Sequence, residues 1–238
     1  MTARDRLSNA RACIADGRFA EALLDLIWFH ENALSEDPAW SGVRRSYALD
    51  DWVRLGKAYP PARAALEDTR DRKAEALLRG DLDRSAFRDV AAIDRYLDAT
   101  SRTYSLYRML LNEQPELAKA CALDALPSII AAEDYQLAAQ LTPDAESLVV
   151  QKSAELNLKV RLLKYQAYSC APVRWAYVCN HVEDIQEQLK IKIGVNKHAE
   201  AARLKLLAIA LIESPSLRRE VEAGFVKRAR APVPRRYR

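Results

Sequence analysis

Apolar residues recur along this chain at intervals of three and four, the spacing that lines one face of an α-helix, and no segment shows the alternation of a half-buried strand. The clearest stripe is Phe19, Ala22, Leu23, Leu26, Ile27, His30, Ala33 and Leu34. A second helix is predicted over roughly 40–58, with Val43, Tyr47, Ala48, Trp52 and Leu55 on one face. Asp37-Pro38 before it supplies a capping acid and then a residue suited to a first turn. Tyr59-Pro60-Pro61 breaks the chain and starts a third helix, which runs through Ala65, Leu66, Thr69 and Leu77 to a stop at Gly80. Phe87, Val90, Ile93 and Leu97 mark a further helix, and Tyr104, Tyr107 and Leu111 another. The next, over 116–132, holds Pro127 in its interior, where the missing donor and the ring clash predict a kink or a break. Thr142-Pro143-Asp144-Ala145-Glu146 opens a long helix to about Ala167, with Thr142 as the expected cap, and Pro172 opens the one after it. In that helix Val178, Val182, Ile185 and Leu189 form the buried stripe, and Gly194-Val195-Asn196 closes it. The segment 204–212 is apolar on nearly every face, which predicts a helix covered on both sides, and Ser214-Pro215 caps a last helix bearing Leu217, Val221 and Phe225.

Two stretches read as tight turns between paired helices: Asp16-Gly17-Arg18-Phe19-Ala20-Glu21-Ala22-Leu23 and a weaker copy at Glu133-Asp134-Tyr135-Gln136-Leu137-Ala138-Ala139. Glycine allows the positive φ of a helix stop, the aromatic wedges between helices, and the small alanine lets backbones approach. Eleven or twelve helices with short loops predict an all-α fold, an irregular solenoid of stacked antiparallel helical hairpins. The expected organisation is one elongated domain over 1–226, with possible sub-halves 1–114 and 115–226, and a basic tail over 227–238.

The pattern Gly17-Arg18-Phe19-Ala20-Glu21-Ala22 resembles the tetratricopeptide-repeat superfamily, whose second helix follows Gly-x-aromatic-x-Glu-Ala. The longer runs 28–34 and 42–78 are similar to a group of uncharacterised bacterial tetratricopeptide-like helical proteins. That resemblance implies a helical fold and a bacterial origin, and it brings no catalytic residues with it.

Charge changes the picture at one end. The formal net charge is +4, yet Lys227, Arg228, Arg230, Arg235, Arg236 and Arg238 lie in the last twelve residues with no acid among them, so the rest carries a net negative charge. A nucleic-acid protein would show its basic face on a folded element, so a tail-driven nucleic-acid role is the less favoured expectation. The start of the chain lacks the apolar core of a secretion signal and the longest apolar run, 206–212, is too short to span a bilayer, which leads to a cytoplasmic expectation without membrane contact. Cys13, Cys121, Cys170 and Cys179 are sparse, as for reduced thiols.

Candidate chemistry is thin. Cys170, Cys179 and His181 are possible zinc donors without a fourth ligand or a close cysteine pair, and His30-Glu31 has Leu34 where a metalloprotease helix needs its second histidine, so no metal is expected. His30, His181 and His198 stand in no nucleophile arrangement, and six scattered glycines make no phosphate loop, so neither catalytic residues nor a cofactor are predicted. Arg44, Arg45, Tyr47, Asp51 and Trp52 are the residues expected to line a groove for a partner protein. An alternative is a ligand or nucleic-acid sensor built from Lys164, Tyr165, Tyr168, Arg174 and Trp175, with Arg235 and Arg236 of the tail. The favoured expectation is a non-enzymatic adaptor or scaffold that binds another protein between stacked helices; a toxin-neutralising immunity protein is one form of it.

Overall fold

A computed structural model describes residues 1–163 and 171–227, and they form thirteen helices with no strand among the described residues. Their order is α1 (Ala3–Ala15), α2 (Phe19–Glu36), α3 (Trp40–Arg44), α4 (Tyr47–Ala58), α5 (Pro60–Arg79), α6 (Arg84–Tyr96), α7 (Thr100–Glu113), α8 (Pro115–Ala131), α9 (Tyr135–Leu141), α10 (Ala145–Leu163), α11 (Ala171–Gly194), α12 (His198–Ala210) and α13 (Pro215–Lys227). No described helix is long and apolar enough to cross a membrane.

The helices gather into two compact units, Met1–Ala132 and Glu133–Arg238, so the division falls after α8. In the first, most packing runs between helices one or two places apart along the chain; α1 also reaches α4, and α3 reaches α6 through Arg44 and Asp89. Its core joins Leu7, Ala10 and Cys13 of α1 to Leu26 and Phe29 of α2, Trp52 and Leu55 of α4, and Leu66 of α5. The second unit is arranged around α11, which touches α9, α10, α12 and α13. Two apolar clusters fill it, one around Val178, Val182, Leu217 and Val221 and one around Val149, Ile185, Leu204 and Ala208.

Several expected elements differ in their details. The helix predicted over 40–58 is two, α3 and α4, parted at Arg45 and Ser46. The helical path is left at Ser46, with φ −131° and ψ −91°, just after Arg44 and Arg45, which both reach Asp89. Pro127 neither breaks nor divides α8. Its ring lies on the exposed side, near the end of the helix, where the lost backbone bond meets water. Asp144, not Thr142, caps α10 by accepting from the Ser147 N–H at 2.9 Å, while the Thr142 hydroxyl turns back to the Ala138 carbonyl. The Ser147 hydroxyl, and with it the Ser147 N–H, holds the Asp144 carboxyl below its ordinary range. The segment 204–212 is covered on one side alone: Leu204 and Ala208 are buried, and Leu206 is 68% exposed.

One turn geometry recurs. Gly17, Asp98, Glu133 and Asn196 all take positive φ, each stands two residues before a helix start, and the residue five further on, Ala22, Thr103, Ala138 or Ala201, is buried. At three of them a backbone N–H closes the preceding helix across six residues: Arg18 to Cys13, Ala99 to Asp94 and Lys197 to Lys192, each at 2.8 Å. Gly194 plays a different part from the one its sequence position implies. Asn196 takes the left-handed turn, and Gly194 stays helical at a point where the Tyr135 ring leaves no room for a Cβ.

A Cβ built on Gly194 would fall 2.1 Å from Cγ of Tyr135, at the root of the ring, so the whole side chain would have to move. Gly194→Ala is expected to destabilise the second unit by about 1–3 kcal/mol. Gly42→Ala, in α3 with nothing within 4 Å of the added carbon, is expected to stabilise by about 0.5–1 kcal/mol. Urea denaturation followed by circular dichroism compares the two.

Candidate functional site

Four aspartates of the first unit are buried, and each is met by cations from other helices. Asp25 of α2 accepts from Arg6 and Asn9 of α1, both at 2.6 Å, and Asp51 of α4 accepts from Arg11 of α1 at 2.7 Å and from Arg54. Asp89 of α6 is shared by Arg44 at 2.5 Å, Arg45 at 2.8 Å and Lys73 of α5 at 2.8 Å. Burial pushes the Asp89 carboxyl up, but Lys73 and Arg44 pull harder, and it lies below its ordinary range. Burial lowers the Arg44 guanidinium against the opposing pull of Asp89.

Asp94, one and a half turns further along α6, takes a two-pronged bond from Arg70 of α5, both arms at 2.9 Å, and the hydroxyl of Thr103 of α7 at 2.8 Å. One carboxylate therefore holds α5 and α7 together. Between these two helices lies an open cleft of about 420 Å³. Its apolar surface comes from Ala74 and Leu78 of α5 with Leu106 and Met109 of α7, and its polar lining includes Glu75, Ser101 and Ser105. Arg102 bridges the two walls to Asp71, which also accepts from Arg70 at 3.1 Å. A mixed apolar and polar trough of this kind can hold a peptide segment by its side chains.

His30 is buried beside the Asp89 cluster, with its ring edge-on to Trp52 at 5.9 Å between centroids and no hydrogen-bond partner for either ring nitrogen. Burial first, and then the charge of Lys73, lower it to about 3, so the imidazole is neutral. In the second unit Glu187 is raised to about 7, by burial and by the like charges of Asp184 and Glu183 on the same helix, while Lys152 of α10 pairs with Asp184 at 3.0 Å. Among the described residues no three His, Cys, Asp or Glu side chains gather as a metal site.

The residues expected to line a partner groove do not share an open surface. Arg44 and Arg45 are held on Asp89, Asp51 is held by Arg11 and Arg54, and Trp52 is buried with its indole N–H donating to the Ala62 carbonyl at 2.8 Å. Tyr47 alone of the five is broadly exposed, at 68%. The physical reason is that the short polar run reads as a wet helix face when it is the inward, charge-paired face. Of the alternative patch, Lys164, Tyr165, Tyr168, Arg235 and Arg236 lie outside the described residues, as does Cys170. Arg174 is engaged with Glu220 at 2.8 Å and Ser216 at 3.1 Å, joining α11 to α13, and Trp175 is partly exposed. Cys13 and Cys121 are buried free thiols, Cys121 pushed up to about 12 by burial and by Asp124, and Cys179 is partly buried. The cleft residues carried no signal in sequence, because its walls are helices separated by α6. No family model, curated protein or solved structure matches this chain.

Asp89→Asn leaves Arg44, Arg45 and Lys73 around an uncharged group, and the expected loss is about 3–5 kcal/mol in urea denaturation. Arg18→Ala, which breaks exposed pairs with Asp16 and Glu21, is expected to leave the urea midpoint essentially unchanged. A pH titration of stability should isolate His30. Unfolded, the imidazole takes its proton near 6.5; folded, it resists until about 3, so the unfolded state binds more protons between these values and acid favours unfolding. This contribution is present in full above pH 6.5 and is lost as pH falls toward 3, at up to about 1.4 kcal/mol per pH unit. His30→Phe, which keeps a ring against Trp52, should remove that part of the slope.

Proposed function

We propose that this chain is a non-enzymatic protein-interaction module, an adaptor or scaffold whose stacked helical hairpins form an irregular solenoid, and that a segment of a partner protein lies in the cleft between α5 and α7. The observation that carries the reading is the grip of Asp94 on both walls, through Arg70 and Thr103. It supports a trough that exists before a ligand arrives, which lowers the ordering cost of binding. Helix contacts in the first unit that run to neighbours one and two places along the chain support the solenoid arrangement. The occupant that suits the lining is a segment with an apolar anchor for Leu78 and Met109 and polar side chains for Glu75, Ser101 and Ser105.

The test is capture of partners from a lysate by the immobilised chain, with a photo-crosslinking residue at Ser105, which is exposed in the cleft. A crosslinked protein is expected, lost on Met109→Glu with Ser101→Arg and retained on Leu206→Glu, an exposed change in the second unit. Capture that ignores the cleft substitutions, or turnover of a small metabolite by a protein that captures nothing, would overturn the reading. Asp94→Asn is expected to weaken capture even where circular dichroism is unchanged, since it loosens both walls without touching the partner.

A further inference from the structure

The cleft between α5 and α7 is uneven in charge. Two guanidiniums line it and both are engaged: Arg70 holds Asp94 with two arms at 2.9 Å and reaches Asp71 at 3.1 Å, and Arg102 is closed on Asp71. Glu75 lines the cleft too, is exposed, and has no ion pair or hydrogen bond among the described residues. The cations one turn away from it on α5 are turned elsewhere, Arg72 to Asp68 at 3.0 Å and Arg79 to Asp81 at 2.7 Å. Three carboxylates, Asp71, Asp94 and Glu75, therefore stand against two guanidiniums, and the charge left over is that of Glu75. Hydrogen bonding leans the same way. The Ser105 hydroxyl donates to the Ser101 carbonyl at 3.0 Å, so it meets a ligand with its lone pairs.

We propose that the cleft selects a segment in which a lysine or arginine stands about one helical turn from an apolar side chain, with the cation on Glu75 and the Ser105 hydroxyl and the apolar group between Leu78 and Met109. This rests on the cleft being a peptide site and adds the sign of charge it reads. The spacing follows from the walls. Arg102 meets Asp71 at one end of the cleft and Gln114 donates to the Leu78 carbonyl at 3.1 Å at the other, so α5 and α7 run the same way. Glu75 and Leu78 are three apart on α5, and Ser105 and Met109 four apart on α7, so each wall carries its polar group one turn before its apolar one. An acidic segment would bring its carboxylate against Glu75 with no unengaged cation in the cleft to meet it, which turns such partners away.

The probe is a library of short random peptides selected on the immobilised full chain, with the binders then measured by fluorescence anisotropy. Peptides with Lys or Arg within about four residues of Leu, Ile, Met or Phe should be enriched, and their binding should be lost on Met109→Glu with Ser101→Arg. Replacing the cation of such a peptide by glutamine, or making Glu75→Gln in the chain, should each weaken binding by about fivefold, and the two together should cost no more than either alone. Glu75→Lys should prefer the same peptide with glutamate in place of the cation. Glu75 is exposed, so both variants should keep the circular dichroism spectrum of the parent chain. Binders that are lost on the cleft substitutions but carry no cation, or that ignore Glu75→Gln and Glu75→Lys, would overturn this inference and leave the cleft as a peptide site. A selection that yields no binder, or only binders that survive the cleft substitutions, would overturn both.

Discussion

The first unit depends on the cost of removing a carboxylate from water. An isolated buried charge is so unfavourable that it must be paired and hydrogen-bonded, and Asp25, Asp51, Asp89 and Asp94 are all nearly inaccessible. Each therefore demands a cation from another helix, and the helices are placed so that the demand is met. Apolar packing of Leu, Ala and Trp side chains drives the association without specifying direction, whereas a guanidinium reaching a carboxylate through two parallel bonds tolerates little displacement. The apolar core supplies the driving force, and the charge pairs select one arrangement among those the core would permit.

Most helices were legible in the sequence because their buried faces repeat at three and four, and because Gly80, Pro60 and Ser214 punctuate them. Several departures come from contacts beyond the reach of a local pattern. Nothing near residue 45 shows that Arg44 and Arg45 share a carboxylate more than forty residues away, so a single helix was expected where the backbone turns. Of the four recurring left-handed turns, Gly17 alone announces itself by residue type. Asp98, Glu133 and Asn196 reach the same backbone region with side chains that bear its strain, and Glu133 was found through the aromatic and alanine that follow it. Gly194 could be read only as a stop, because its true constraint is Tyr135 nearly sixty residues earlier.

The candidate site was less legible than the fold, for a related reason. Arg44, Arg45, Asp51 and Trp52 carry the composition of a binding face, aromatic and charged residues at helical spacing, and composition does not distinguish a face turned to water from one turned to a buried partner charge. Ser101, Ser105 and Glu75, which do line an open cleft, are ordinary residues for an exposed helix. A cleft is a property of two helices at a distance. Its walls become recognisable once Asp94 is seen to bind Arg70 on one side and Thr103 on the other.

The register of α5 against α6 follows from the same carboxylates. Arg70 and Lys73 are three apart on α5 and so lie on one face, while Asp94 and Asp89 are five apart on α6 and so point to different flanks. Running antiparallel, Arg70 meets Asp94 and Lys73 meets Asp89. Sliding α5 by a turn would separate both pairs at once and take the buried Arg70 and Asp94 away from each other, a costly loss for two groups removed from water. Because Asp89 also holds α3 at Arg44 and Asp94 also holds α7 at Thr103, fixing α6 against α5 fixes the helices on either side of that pair. The width of the α5–α7 cleft is thus set by a residue lying behind it, and it is decided by electrostatics within the fold rather than by the side chains that line the opening.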